Sequence, residues 1–238
     1  MNFREAMVEA WDKLQNARDK YRAMTGPVGM HKDLVLKFIE NETLIMSPII
    51  PHYAEHVWGL LGNASSVMSA RWPEVGNVDP MLIRQVTYFD KVLSDARSKV
   101  EKARTKAPCT KLIVYVAENF LDWQQAVLNV LNAHAQKGGG FDKDFKKSLM
   151  SIPELQPFKA QSKLLMPFAA FVIDEFPVRG AEAFELKVPF DEVQILKDSV
   201  DYINKELAIE EMVIEMWPPA DVKKLNPATP GKPTLVFV

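Results

Sequence analysis

The sequence predicts a mainly α-helical chain, an α-helical bundle followed by a small α/β domain. Three observations carry that expectation. Apolar residues recur at spacings of three and four through roughly the first hundred positions, which is the helical period. Further on, short β-branched and aromatic runs alternate with helical stretches, the order expected of a few strands covered by helices. The charge also changes sign: residues 1–111 carry a balance of +3 and residues 112–238 one of −5. That change falls at Thr105-Lys106-Ala107-Pro108-Cys109-Thr110, the linker-like stretch, and predicts domains at 1–106 and 107–238.

In the first part, Phe3, Met7, Ala10, Trp11, Leu14, Ala17, Tyr21 and Met24 form one apolar stripe, with Asn2 and Glu5 spaced as a capping box. Gly26-Pro27-Val28-Gly29 ends that helix. A second helix is expected over Met30–Met46, with Leu34, Val35, Phe38, Ile39 and Ile45 inward. Pro48 and Pro51 interrupt the chain before a short helix through Val57, Trp58 and Leu61. Asp79-Pro80 is a cap followed by proline at the first helical position, opening a fourth helix. Its stripe is Leu82, Val86, Phe89, Leu93, Ala96, Val100 and Ala103, and four such helices with short connections predict an antiparallel bundle.

In the second part, Lys111–Ala117 reads as a strand and Asp122–Ala135 as a helix, with Asp122 and Gln125 as its capping pair and Gly138-Gly139-Gly140 as its stop. Helices are expected over Lys143–Met150, over Phe158–Phe176 with a kink or break at Pro167, and over Asp191–Leu207. Ala183–Val188, Met212–Trp217 and Thr234–Val238 complete a set of three or four strands.

Composition narrows the function. With 238 residues, 47% apolar, 25% charged and a net charge of −2, the chain is that of an ordinary globular protein and not a uniformly basic nucleic-acid binder. Its longest apolar run, Leu164–Ile173, is too short for a membrane span and contains Pro167. The first residues show no apolar signal region, and Cys109 is the single cysteine, so a reduced, cytoplasmic protein without disulfides is expected. The three glycines at 138–140 lack a following Lys-Ser/Thr and are read as a turn, not a phosphate loop. Cys109 is read as an inert, half-buried thiol. His52-Tyr53-Ala54-Glu55-His56 spells the H-x-x-E-H zinc motif, in which His52 and His56 would share a metal and Glu55 would act as general base. A zinc hydrolase is therefore one alternative, although His31 and His134 are the only other histidines and no acidic third ligand stands out.

The same residues, taken with their surroundings, carry a resemblance. Leu44-Ile-Met-Ser-Pro48-Ile-Ile-Pro51-His52-Tyr-Ala-Glu55-His56-Val-Trp58, then Ala70-Arg71-Trp72-Pro73, resembles the anticodon-binding helical domain of class I aminoacyl-tRNA synthetases. Asn16–Arg22 and Gly29–Val35 are similar to the cytosolic, archaeal/eukaryotic-type leucyl-tRNA synthetases. Lys111–Gln124, Ser151–Leu155 and Pro230–Phe237 resemble the C-terminal domain of that family. The resemblance makes Pro51, His52, Glu55, Trp58, Trp72 and Pro73 a structural motif. It implies the C-terminal quarter or fifth of such an enzyme, whether a piece of one or a freestanding paralogue. The HIGH-like and KMSKS-like catalytic motifs and the editing domain have no counterpart here, so no catalytic residue is assigned. ATP and Mg²⁺ belong to the parent reaction, and no cofactor or metal is expected in this chain.

The implied function is non-catalytic binding of tRNA-Leu, beside the remaining domains of the parent synthetase. Tracking phosphates takes cations. The densest group is Arg97, Lys99, Lys102, Arg104, Lys106 and Lys111, opposed only by Asp95 and Glu101, and all but Lys111 are taken as candidate tRNA contacts. Arg18, Arg22 and Lys32, with Lys20 and His31 nearby, form a second group, and Lys223, Lys224 and Lys232 a weaker third. Trp11, Tyr21, Phe38, Trp58 and Phe89 lie on or beside apolar stripes and are read as core, not as stacking platforms. The alternative function is a protein-interaction module in the C-terminal domain; neither reading involves DNA or a membrane.

Overall fold

A computed structural model describes residues 2–74, 76–105, 108–142, 145, 148–218 and 227–238. The chain divides into two compact units, Met1–Asp79 and Pro80–Val238.

The first unit is helical. Helix α1 runs through Phe3–Ala6, a π-helical stretch Met7–Asp12, and Lys13–Thr25. Asn2 caps it as expected, the Glu5 N–H donating to Asn2 Oδ1 at 3.3 Å, while the return bond comes from the Asn2 side chain, whose Nδ2 donates to Glu5 Oε2 at 2.7 Å. Gly26, at φ 50°, supplies the left-handed turn that stops it. Helix α2 is Lys32–Met46 and α3 is Pro51–Leu60, with proline at its first position where the missing N–H costs nothing. A 3₁₀ turn, Val67–Ser69, follows. The core of this unit is small, formed by Leu44, Ala54, Trp58 and Val67 with Leu61 and Ala70 against them. The stripe of α1 is only half-buried: Met7, Trp11, Leu14 and Tyr21 are partly covered, and Met24 is exposed.

The second unit opens with α4, Pro80–Arg104. Strands β1 (Lys111–Val116), β2 (Glu211–Met216) and β3 (Thr234–Phe237) form one sheet in the order β2-β1-β3. Strand β1 pairs parallel with β2, Lys111 facing Glu211, and antiparallel with β3, Leu112 facing Phe237. Helices α5 (Asp122–Gln136), α6 (Ser162–Arg179), α7 (Glu192–Asp198) and α8 (Val200–Leu207) lie between β1 and β2 in sequence. One core joins Phe89, Leu93, Ala96 and Val100 of α4 to Leu112, Val114 and Val116 of β1 and to Leu196, Ile203 and Leu207. The other joins Trp123, Leu128 and Leu131 of α5 to Leu165, Val172 and Ile173 of α6, closed by Leu149, Leu155 and Phe184.

The mainly helical character agrees with the sequence expectation, and several details differ. The fourth helix packs into the core of the second unit. Full burial of each large apolar side chain stabilises by about 1.5–3 kcal/mol, so its stripe follows the sheet and α8, and the compact units part after Asp79, ahead of the expected 106/107 boundary. The expected strand Ala183–Val188 is a 3₁₀ turn, Gly180–Phe184, followed by irregular chain, because Phe184 packs into the α5–α6 core while Leu186 stays 41% exposed. Helix α6 runs through Pro167 without a break, held by buried Leu165, Ala169, Val172 and Ile173, and a 3₁₀ stretch, Pro153–Gln161, precedes it. The expected single helix 191–207 is interrupted at Ser199. The capping pair of α5 sits one residue earlier, with the Leu121 N–H donating to Gln124 Oε1 at 2.9 Å. Part of the expected helix Lys143–Met150 lies outside the described residues, and Leu149–Ser151 is a 3₁₀ turn.

Candidate nucleic-acid interface

The motif between Pro51 and Pro73 builds the best-defined site of the first unit. Trp58 is buried against Leu44 of α2 and against Val67 and Ala70 of the following loop. Glu55, one turn earlier, carries the neighbouring connection: its carboxylate accepts the Ser66 hydroxyl and, at 3.2 Å, the Val67 N–H. These hydrogen bonds, that from Ser66 foremost, hold the Glu55 carboxyl below its ordinary value. Ser66 Oγ in turn accepts the Met68 N–H at 3.1 Å and caps the 3₁₀ turn. The role of Glu55 is thus to pin α3 to the loop that delivers Arg71, Trp72 and Pro73.

That pinning answers the zinc alternative. His52 and His56 are exposed, Glu55 is committed to Ser66 and Val67, and among the described residues no group of three His, Cys, Asp or Glu could hold a metal. The three residues do not assemble a hydrolytic centre.

The pinned loop, α2 and α3 border an open groove of about 480 Å³. Lys37, Asn41 and Leu44 line it from one face of α2, where spacings of four and three bring residues together. An edge of Trp58 closes one side, and Arg71, Trp72 and Pro73 the other. Trp72 is 63% exposed, unlike Trp58 at 7%. Both tryptophans belong to the motif expected from the resemblance; the burial of Trp58 agrees with its reading as core, and the exposure of Trp72 is what the structure adds. Lys37, Asn41 and Arg71 were missed as site residues. Their spacing on α2 was visible, but the loop that completes the groove was not.

The cation groups divide into engaged and available members. Arg18 donates to Asp19 at 2.8 Å and places its guanidinium 5.3 Å from the centre of the Phe38 ring, and Arg22 reaches the same Asp19 at 3.1 Å. Lys32 is exposed at the start of α2, where the His31 N–H donates to the Tyr21 hydroxyl at 3.0 Å. On α4, Arg97 pairs with Glu206 at 2.5 Å, and at the start of β1 Lys111 pairs with Glu211 at 2.9 Å. Arg104 Nη2 donates to the carbonyls of Leu207 and Ala208, at 2.7 and 2.8 Å, where α8 turns left-handed at Ala208. It caps a helix. Lys102 is exposed on the next turn after Lys99. The ammonium of Lys99 is partly shielded, which lowers its pKa; Asp95 opposes that effect and nearby Lys232 adds to it. Lys232 itself stands 3.9 Å over the Phe171 ring. Lys99 and Lys232, like charges drawn from α4 and from the approach to β3, thus share one neighbourhood. Lys106, Lys223 and Lys224 lie outside the described residues.

Comparison with known proteins places the chain in a family. Residues 1–115 match the anticodon-binding domain of tRNA ligase, and residues 116–189 match the RagD-binding domain of leucine--tRNA ligase. The cytoplasmic leucine--tRNA ligase of Pongo abelii is 34% identical over all of this chain and 21% of its own length. That of Dictyostelium discoideum is 34% identical over all of the chain and 23% of its own length. The Arabidopsis thaliana enzyme is 33% identical over 99% of the chain and 24% of its own length. The chain therefore spans between a fifth and a quarter of the length of these three relatives. The first domain match reaches past α4 into β1, so the family boundary and the boundary of compact packing differ. Matched along its whole length by these enzymes and carrying both of these domains, the chain belongs to the leucine--tRNA ligase family, as its C-terminal part.

Proposed function

We propose that this chain binds tRNA-Leu without catalysing ligation, as the RNA-holding part of a cytoplasmic leucine--tRNA ligase. The match of residues 1–115 to an anticodon-binding domain is the observation that carries this reading. The cations support it. With Arg97, Arg104 and Lys111 committed to internal partners, Lys99, Lys102 and Lys232 are the candidates among the described residues of the second unit that can face phosphates. Three phosphate contacts predict that affinity falls with salt at a log–log slope of roughly −2 to −3. Charge reversal at Lys99 and Lys102 (K99E/K102E) should flatten that slope and weaken all tRNAs alike, because phosphate contacts position without reading sequence. A titration of tRNA-Leu, tRNA-Ser and a short-arm tRNA over a salt series measures both quantities. A slope unchanged by the double reversal would move the phosphate contacts elsewhere; absence of tRNA binding at low salt would defeat the reading. ATP and Mg²⁺ then act elsewhere in the parent enzyme, and the chain alone should show no leucine-dependent pyrophosphate exchange.

A second role is favoured by the match of residues 116–189 to a RagD-binding domain. In this reading the α5–α6 region docks a protein while the cations hold RNA. Purified RagD should bind the full chain with equal strength in wild type and K99E/K102E; failure to bind wild type would remove this role and leave the first untouched.

A further inference from the structure

We infer that the groove between α2, α3 and the Arg71–Pro73 loop receives a single unstacked nucleobase of a bound RNA, with Trp72 as its stacking face. The inference rests on the RNA-binding reading above and names one place where it is carried out.

Four observations point to a base. Trp72 is the most exposed groove-lining aromatic: it shows 63% of its surface, whereas Trp58, two residues before the end of the same motif's helix, is buried as core. Exposing an indole to water is unfavourable. Here the loop carrying it is held by the Glu55 hydrogen bonds to Ser66 and Val67, so the exposed ring is presented from a fixed support. The groove, at about 480 Å³, falls within the range of small-ligand sites. Its apolar lining, Leu44, Ala70 and Pro73 with the two tryptophans, suits a flat aromatic guest.

The charged lining sets the class of guest. Lys37 and Arg71 are balanced by Glu40 and Glu74 around the same groove, so it has no net charge with which to hold a phosphate. Donors and acceptors are nevertheless both present, and Asn41 offers one of each on a half-buried amide. A nucleobase edge also presents donors and acceptors side by side, and single-stranded RNA is recognised by stacking a splayed base on an aromatic ring while its edge is hydrogen-bonded. The groove therefore complements a base and leaves the sugar-phosphate chain to cations outside it.

The test uses the full chain, with tRNA-Leu, an unstructured hexanucleotide and heparin as a polyanion without bases. Stacking of one base is worth about 1–3 kcal/mol by alanine substitution, so Trp72→Ala should weaken the hexanucleotide by about 5- to 150-fold. Trp72→Phe should restore most of that loss, and Asn41→Ala should change the preference among hexanucleotides of different base. Heparin affinity and the salt slope for tRNA should stay at wild-type values in all three variants, because no charge is removed. Far-UV circular dichroism and melting temperature confirm that each variant is folded. Equal hexanucleotide affinity in wild type and W72A overturns the inference while leaving tRNA binding in place, and so does a loss that phenylalanine fails to restore. Failure of wild type to bind any RNA removes the inference together with the reading beneath it.

Discussion

Glu192 is held between opposing forces in the second unit. It is 7% exposed, and its Oε1 accepts the Gly231 N–H at 2.8 Å, tying the start of α7 to the turn before β3. Burial raises its pKa; the Gly231 N–H and the Tyr88 hydroxyl oppose the rise, and Asp191 adds to it. Burial, with Glu192 beside it, likewise raises Tyr88. A carboxyl raised on folding takes up a proton as the chain folds. Its favourable contribution is therefore complete below the unfolded value, near 4.5, and is lost as pH climbs through the higher folded value. Glu192→Gln keeps the acceptor for Gly231 and removes the ionisation, so its melting temperature should exceed that of wild type at neutral pH and converge on it in acid. Melting curves across the pH range check this, and a variant less stable than wild type at pH 7 contradicts it. None of this was legible beforehand. Asp191-Glu192 reads as an ordinary helix start, and Tyr88 and Gly231 are far away in sequence. Trp58, by contrast, sits at helical spacing from Ala54 and Leu61, and its burial follows from that period alone.

At the scale of elements, spacing located the helices and strands, and their ends and duties came from contacts. Both Gly138 and Gly139 look like parts of one flexible stop, yet they serve different ends. Gly138 takes the left-handed turn at φ 73°. Gly139 gives room: a Cβ there would stand 2.3 Å from His134 Nε2, and the His134 ring is stacked on Phe145 at 3.8 Å. The turn is shaped by a ring that a run of three glycines does not announce. Arg104 illustrates the same limit. Charge alone placed it among candidate phosphate contacts, whereas two carbonyls at the end of α8 hold it. Hydrogen bonds to charged groups contribute about 1.5–3 kcal/mol. Since Arg104 is exposed, the expectation for Arg104→Ala is the lower end of that range, a loss of about 1.5 kcal/mol in denaturant unfolding. The salt slope of tRNA binding should not change. A changed slope with unchanged stability would return Arg104 to the RNA.

For the whole molecule, the question is where it can be cut. Composition marked 106/107, because a proline and a sign change in charge coincide there, and both are local signals. The packing of α4 is not local. Tyr88, Phe89, Val92, Leu93, Ala96 and Val100 are buried with β1, β3 and α8, in a core shared with residues beyond 107. A fragment ending at 106 should therefore expose that face, bind an apolar dye and melt without a cooperative transition. A fragment 80–238 should retain the core and unfold in one step. Calorimetry on the two pieces decides between the boundaries, and a cooperative, dye-silent 1–106 fragment would restore the composition-based one.

The order β2-β1-β3 also governs how the second unit comes into being on the ribosome. Strand β1 emerges first and lies in the middle, yet a hundred residues separate Lys111 from its parallel partner Glu211, and its antiparallel partner comes later still. Contacts so distant along the chain close slowly, since the loop entropy is lost before any pairing is gained. Helices α5 and α6, whose core is drawn from residues 123–184, lie in the intervening stretch and can collapse while β1 waits with both edges open. An unpaired strand with the sequence Lys-Leu-Ile-Val-Tyr-Val is prone to pair with another chain. During synthesis, then, the hazard for this molecule is a nascent β1 held without neighbours until β2 and β3 have been translated, and α4, already made and apolar along the same face, is the element available to cover it.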